Sequence, residues 1–87
     1  MYAVIARVSV EDTDVARAAL PRLRIDLVPK APGFVNAYWL EPRDGVGMSV
    51  IVFETHEQAL EASTYPLPEL PGVLPLSIEI REVLAHV

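Results

Sequence analysis

Apolar residues recur at every second position over Tyr2–Val10. Tyr2, Val4, Ala6, Val8 and Val10 fall on one face and Ala3, Ile5, Arg7 and Ser9 on the other. Both sets are largely apolar, the pattern of a central strand covered on two sides. The period then changes. Glu11-Asp12-Thr13-Asp14 offers helix-capping side chains and negative charge for the positive end of a helix dipole. Ala16, Leu20, Leu23 and Leu27 follow at steps of four, three and four, a single helical stripe. Pro21 lies within that stripe, so the spacing predicts a kink or two short helices meeting there.

Pro29, Pro32 and Gly33 end the helical pattern. A second strand is predicted from Phe34 to about Leu40, rich in aromatic and β-favouring side chains. Glu41-Pro42-Arg43-Asp44-Gly45 reads as a hairpin loop whose Asp-Gly pair suits positive φ. A third strand runs over Met48–Phe53, continuously apolar from Val50. Thr55-His56-Glu57-Gln58 matches a capping box that opens a helix through about Thr64, with Ala59, Leu60 and Ser63 inward. Four prolines between Tyr65 and Pro75 make that segment extended and surface-bound. From Leu76 the alternation of Leu76, Ile78 and Ile80 against Ser77, Glu79 and Arg81 gives the last strand, followed by the apolar Val83-Leu84-Ala85.

The order strand, helix, strand, strand, helix, strand is that of a ferredoxin-like α+β sandwich. With 87 residues, no internal repeat and no long linker, residues 1–87 read as one domain. A chain this short buries only about 60 to 65 % of its unfolded surface and gains from a partner. Its hydrophobic content of 52 % exceeds what one small core absorbs, so a second interface and a homodimer are expected.

Charge and composition narrow the chemistry. A net charge of −5, with Arg17, Arg22, Arg24 and Lys30 as the main basic concentration, argues against a nucleic-acid partner. The absence of cysteine excludes disulfides, thiolate nucleophiles and cysteine-ligated metals. Neither a leader pattern nor an apolar run near the roughly 20 residues that span a bilayer is present. The expectation is a cytoplasmic protein with no membrane partner.

The Ala31-Pro32-Gly33-Phe34 exit with Tyr38-Trp39 after it, and Val50-Ile51-Val52-Phe53-Glu54 leading to Gln58-Ala59-Leu60, resemble the dimeric α/β-barrel superfamily, especially its antibiotic-biosynthesis-monooxygenase-like branch. The resemblance covers nearly the whole chain. It implies a homodimer in which two four-stranded sheets pack face to face, and a pocket in each protomer between sheet and helices. The implied ligand is small and hydrophobic or aromatic, and the implied reaction is a cofactor-independent oxidation of a phenol or quinol. The rival expectation is a non-enzymatic ligand-binding or structural homodimer. Heme-degrading relatives use an Asn on the first strand, a Trp ending the third and a His in the second helix. The matching positions here hold Ala6 and Phe53, with His56 at the very start of the helix, which argues against productive heme binding.

Candidate chemistry is sparse. Asn36 stands in an otherwise apolar strand, where a buried amide must be bonded or cost about 1 to 3 kcal/mol; it either holds a substrate oxygen or bonds to backbone or water. Tyr38 and Trp39 point to opposite faces of that strand, as core or interface packing or as a pocket wall. The site implied by the resemblance takes Asn36 and Tyr38 as catalytic residues and Trp39, Phe53 and His56 as ligand contacts, with no cofactor. His56 is otherwise a surface residue, and His86 is frayed or at an interface. The two histidines lack metal-ligand spacing, so no metal is expected. Arg7, Glu79 and Arg81 form either a polar group inside a barrel or, preferably, an ion pair between subunits, since chain order does not make the first and last strands neighbours.

Overall fold

The computed structural model describes residues 1–21, 24, 28–64 and 72–87. The elements are β1 (Tyr2–Val10), α1 (Thr13–Pro21), a 3₁₀ turn at Val28–Lys30, β2 (Phe34–Arg43), β3 (Val46–Phe53), α2 (His56–Thr64) and β4 (Val73–Glu82). The strands form one antiparallel sheet in the order β2-β3-β1-β4. This α+β architecture is compatible with the ferredoxin-like expectation. It corrects one point: β4 lies directly beside β1, because the β3-to-β4 connection crosses β1 and docks its strand on the free edge.

Local chemistry sets most boundaries. Asp12 caps α1, its Oδ1 accepting from the Asp14 N–H at 2.9 Å and the Val15 N–H at 3.4 Å. Its described residues are Thr13–Pro21; Leu23 and Leu27 of the expected stripe lie outside the described residues, while Ala16 and Leu20 are half-buried. At α2 the capping box closes, with the Thr55 N–H donating to Gln58 Oε1 at 3.2 Å and the Gln58 N–H to Thr55 Oγ1 at 3.1 Å. The inward face of α2 is Ala59, Ala62 and Ser63, one turn apart at the i, i+3, i+4 positions, whereas Leu60 is 49 % exposed. Leu60 was expected inward and is instead one residue out of phase with that stripe.

The strands run longer than their patterns predict. The β2–β3 hairpin closes on two residues, Asp44 at φ 53° and Gly45 at φ 75°, with Arg43 opposite Val46. Two consecutive positive φ values give a primed turn whose twist matches the strands. Strand β2 therefore continues through Pro42, and β4 starts at Val73 and includes Pro75. Both are edge strands, where a missing N–H need not break a ladder, and both show register shifts beside those prolines. The rest of the Tyr65–Pro75 segment, through Pro71, lies outside the described residues.

The core is small. Val4, Phe53 and Ala59 are buried together, with Tyr2, Ala31, Phe34, Ile51, Ala62 and Ile80 packed against them. Ala59 is fully covered, so α2 approaches the sheet as closely as a methyl group permits. Strands β1 and β2 are parallel, as are β3 and β4, each pair separated by one strand. Helix α2 packs on one face through Ala59, against Val4 and Phe53, and right-handed crossovers put both helices of this topology on that side. Among the described residues the opposite face carries no helix.

Candidate functional site

Strand register fixes what that open face presents. Reading across β2, β3, β1 and β4, one row is Asn36, Val52, Ala3 and Arg81, and the next is Tyr38, Val50, Ile5 and Glu79. A third row is Leu40, Met48, Arg7 and Ser77. An apolar strip over β3 and β1 is thus flanked by a carboxamide and a phenol on one edge strand and by charged side chains on the other. Tyr38 and Leu40 are exposed, and Ile5, Met48 and Val50 are half-buried.

A cleft of about 290 Å³ lies at the end of the face where β1 and β2 begin and β3 and β4 end. Asn36, Tyr38 and Val52 form its floor, and Met1, Val83, His86 and Val87 contribute walls. The segment after β4 is held there by its first residue, whose backbone N–H donates to the Met1 carbonyl at 2.9 Å. The cleft is on the face opposite α2, whereas the expected pocket lay between sheet and helices. On that inner side Phe53 is only 2 % exposed and packs with Val4 and Ala59.

The five residues singled out from the sequence divide between the two faces. Asn36 and Tyr38 come together in the cleft. Trp39 stands opposite Ser49 in the register, on the helix side with Phe53. His56 opens α2 and meets Tyr2 edge-to-face, with ring centroids 5.1 Å apart; Tyr2 in turn donates its hydroxyl to Glu82 Oε2 at 3.3 Å. Sequence reasoning missed Val35, Val52, Val83 and Val87. The signal for Val52 is its register with Asn36, which depends on the bulge after Phe34. His86, expected frayed or at an interface, lines the cleft.

Arg7, Glu79 and Arg81 form one network on the open face. Arg7 Nη1 donates to Glu79 Oε1 at 3.0 Å, while Arg81 donates to Glu79 Oε2 through Nε at 3.2 Å and lies 3.1 Å away through Nη2. The network lies within one chain, correcting the expectation of an intersubunit pair: β4 beside β1 puts the carboxylate within reach. The hydrogen bond from Arg7 is the main force holding the Glu79 carboxyl below its ordinary 4.5; desolvation opposes it, and the hydrogen bond from Arg81 and the charge of both guanidiniums reinforce it.

Among the described residues no group of three or more His, Asp or Glu is placed to hold a metal ion, and no helix is long and apolar enough to cross a membrane. No family model, curated protein or solved structure matches the chain.

Proposed function

We propose that this chain is a small-ligand-binding protein of the dimeric α/β-barrel kind. It takes a flat hydrophobic or aromatic molecule against the open sheet face, and a second copy closes over it. The observation that carries the reading is the convergence of Asn36 and Tyr38 on one cleft floored by Val52. An apolar floor with a few polar groups at its margin is the usual composition of a small-molecule site. The half-exposed strip through Met48, Val50 and Ile5, flanked by the exposed Tyr38 and Leu40, favours the second copy, because a folded chain rarely leaves so continuous an apolar surface unpaired.

The reaction proposed for this site is cofactor-independent oxidation of a phenol or quinol by dioxygen. In that chemistry the ionised substrate supplies the electrons. The Asn36 amide orients the substrate oxygen, and the Tyr38 hydroxyl relays the proton released as the substrate ionises. Burial of the ring against Val52 excludes water from the reactive carbon.

The test is oxygen uptake and substrate loss with a panel of anthrone-type and naphthalene quinols, alongside binding measured by fluorescence. Turnover that falls at least tenfold in Tyr38→Phe or Asn36→Ala supports the enzyme. Saturable binding without turnover identifies the non-enzymatic ligand-binding dimer, and no binding by any member of the panel rejects the site.

A further inference from the structure

We infer that the outer edge of β4 is a second interaction surface whose partner is another copy of this chain, added strand to strand so that Glu79 of each copy faces the partner's Arg81. The pairing uses the outward backbone of β4 and does not depend on what covers the open face.

β4 is an edge strand whose inner side is paired with β1. The Val83 N–H donates to the Met1 carbonyl on that inner side. Backbone groups alternate in direction along a strand, so Arg81, Glu79 and Ser77 also turn theirs toward β1, while Glu82, Ile80 and Ile78 turn theirs outward. Among the described residues no strand takes up that outward row. Edges are commonly blunted by proline, lysine or a bulge. In β4 those devices stay in the first half, at Pro75 and the register shift opposite Arg7 and Val8. From Ser77 to Glu82 the register is regular and the sequence holds neither proline nor lysine.

The charges of this stretch select one neighbour and one register. A two-fold axis normal to the sheet pairs β4 with itself antiparallel and keeps both open faces on the same side. Centred on Ile80, it sets Ile80 opposite the partner's Ile80 and Ile78 opposite the partner's Glu82, all residues with outward backbone groups, so the two strands exchange N–H···O=C bonds in both directions. The intervening positions are the closer pairs, and there Glu79 meets the partner's Arg81 twice over, once in each direction. The Arg81 side chain shares Glu79 with Arg7 in the single chain and is 68 % exposed, so it is free to turn to the partner's carboxylate. Moving the axis by one residue sets Glu79 against Glu79 or Arg81 against Arg81, like charges directly opposed. A move of two brings Pro75 into the pairing or sets Glu82 against Glu82. The other edge, β2, offers no such selection, because Asn36–Leu40 between its two register shifts carry no charge.

The test is made in Leu40→Lys, so that association through the open face does not contribute. The chain has no cysteine, and an introduced one is therefore unique. Ile80→Cys is expected to give a disulfide-linked dimer on mild oxidation, since opposed Cα atoms of such a pair lie about 5.5 Å apart, within disulfide reach. Ser77→Cys, exposed on the same strand but about 20 Å from its copy in this register, should stay monomeric. In a second arm, Glu79→Arg and Arg81→Glu should each weaken self-association about tenfold in sedimentation equilibrium, and an equimolar mixture of the two should regain it, because opposite charges again face each other. Each variant is first checked for folding by circular dichroism, and either arm decides alone if a variant of the other does not fold. Cross-linking equal at positions 77 and 80, a folded Ile80→Cys that stays monomeric, or a mixture no tighter than its components overturns the inference.

Discussion

Arg7 on β1 and Glu79 on β4 form an ion pair 3.0 Å long between diagonal positions, Arg7 lying directly opposite Ser77 and Glu79 opposite Ile5. Diagonal neighbours on one face of an antiparallel pair are within reach of long side chains, so this contact reports the β1–β4 register. It also sets a pH dependence. A carboxyl held below its unfolded value stabilises the fold above that unfolded value, and the contribution is lost as pH falls through the folded one. The melting midpoint of the parent chain should therefore exceed that of Glu79→Gln by a constant amount from pH 8 to about 5.5. The gap should close as pH drops below 4.5. A gap independent of pH down to 3 would show that the pair contributes nothing through its charge.

Gly33 and Gln58 are coupled in the same sense. Gly33 sits at φ 78° directly under the Gln58 carboxamide, and a Cβ there would overlap that group. Gly33→Ala should cost about 1 to 3 kcal/mol from backbone strain and displacement of the cap, and Gln58→Ala about 0.5 to 1 kcal/mol as a lost cap. Because the first change already expels Gln58 from its place, the double variant should be less destabilised than the sum of the singles by several tenths of a kcal/mol or more. Urea denaturation of the four proteins measures this. Strict additivity would mean that the capping box survives the alanine.

The hairpin turn offers a cleaner backbone test. Asp44 and Gly45 both occupy the left-handed region, which costs a β-branched residue about 1 to 2 kcal/mol. Gly45→Val should lower stability by that amount, since among the described residues only the Val10 carbonyl comes near its Cβ and no side chain crowds the site. Gly45→Asn, which tolerates positive φ, should recover most of the loss. An unchanged midpoint in Gly45→Val would place the turn elsewhere.

The proposed dimer through the open face has its own variants. Leu40 is exposed on the edge strand beside Met48, so Leu40→Lys should leave folding intact and weaken self-association at least tenfold in sedimentation equilibrium. Val15→Lys, on exposed α1, should not. A parent chain that sediments at its monomer mass throughout the micromolar range would reject the dimer.

Local chemistry determined much of this protein before any packing is considered. Alternation gave β1 its two faces, Asp12 and the Thr55–Gln58 box their helix starts, and Asp44-Gly45 its turn, because each depends on residues only a few positions apart. The extra lengths of β2 and β4 were not legible, since proline forbids a central strand but not an edge one, and edge status belongs to the assembled sheet. Nor could the sequence say that Glu79 would reach Arg7: that needed β4 to dock beside β1, a pairing across 72 residues. The candidate site divides the same way. Asn36 and Tyr38 share a face by the period of two alone. That this face is the open one, that Trp39 turns to the helices, and that Val52, Val83 and His86 join the cleft were decided by helix crossover, cross-strand register and the path of the chain after β4. These are long-range relations, which the pattern of neighbouring residues does not encode.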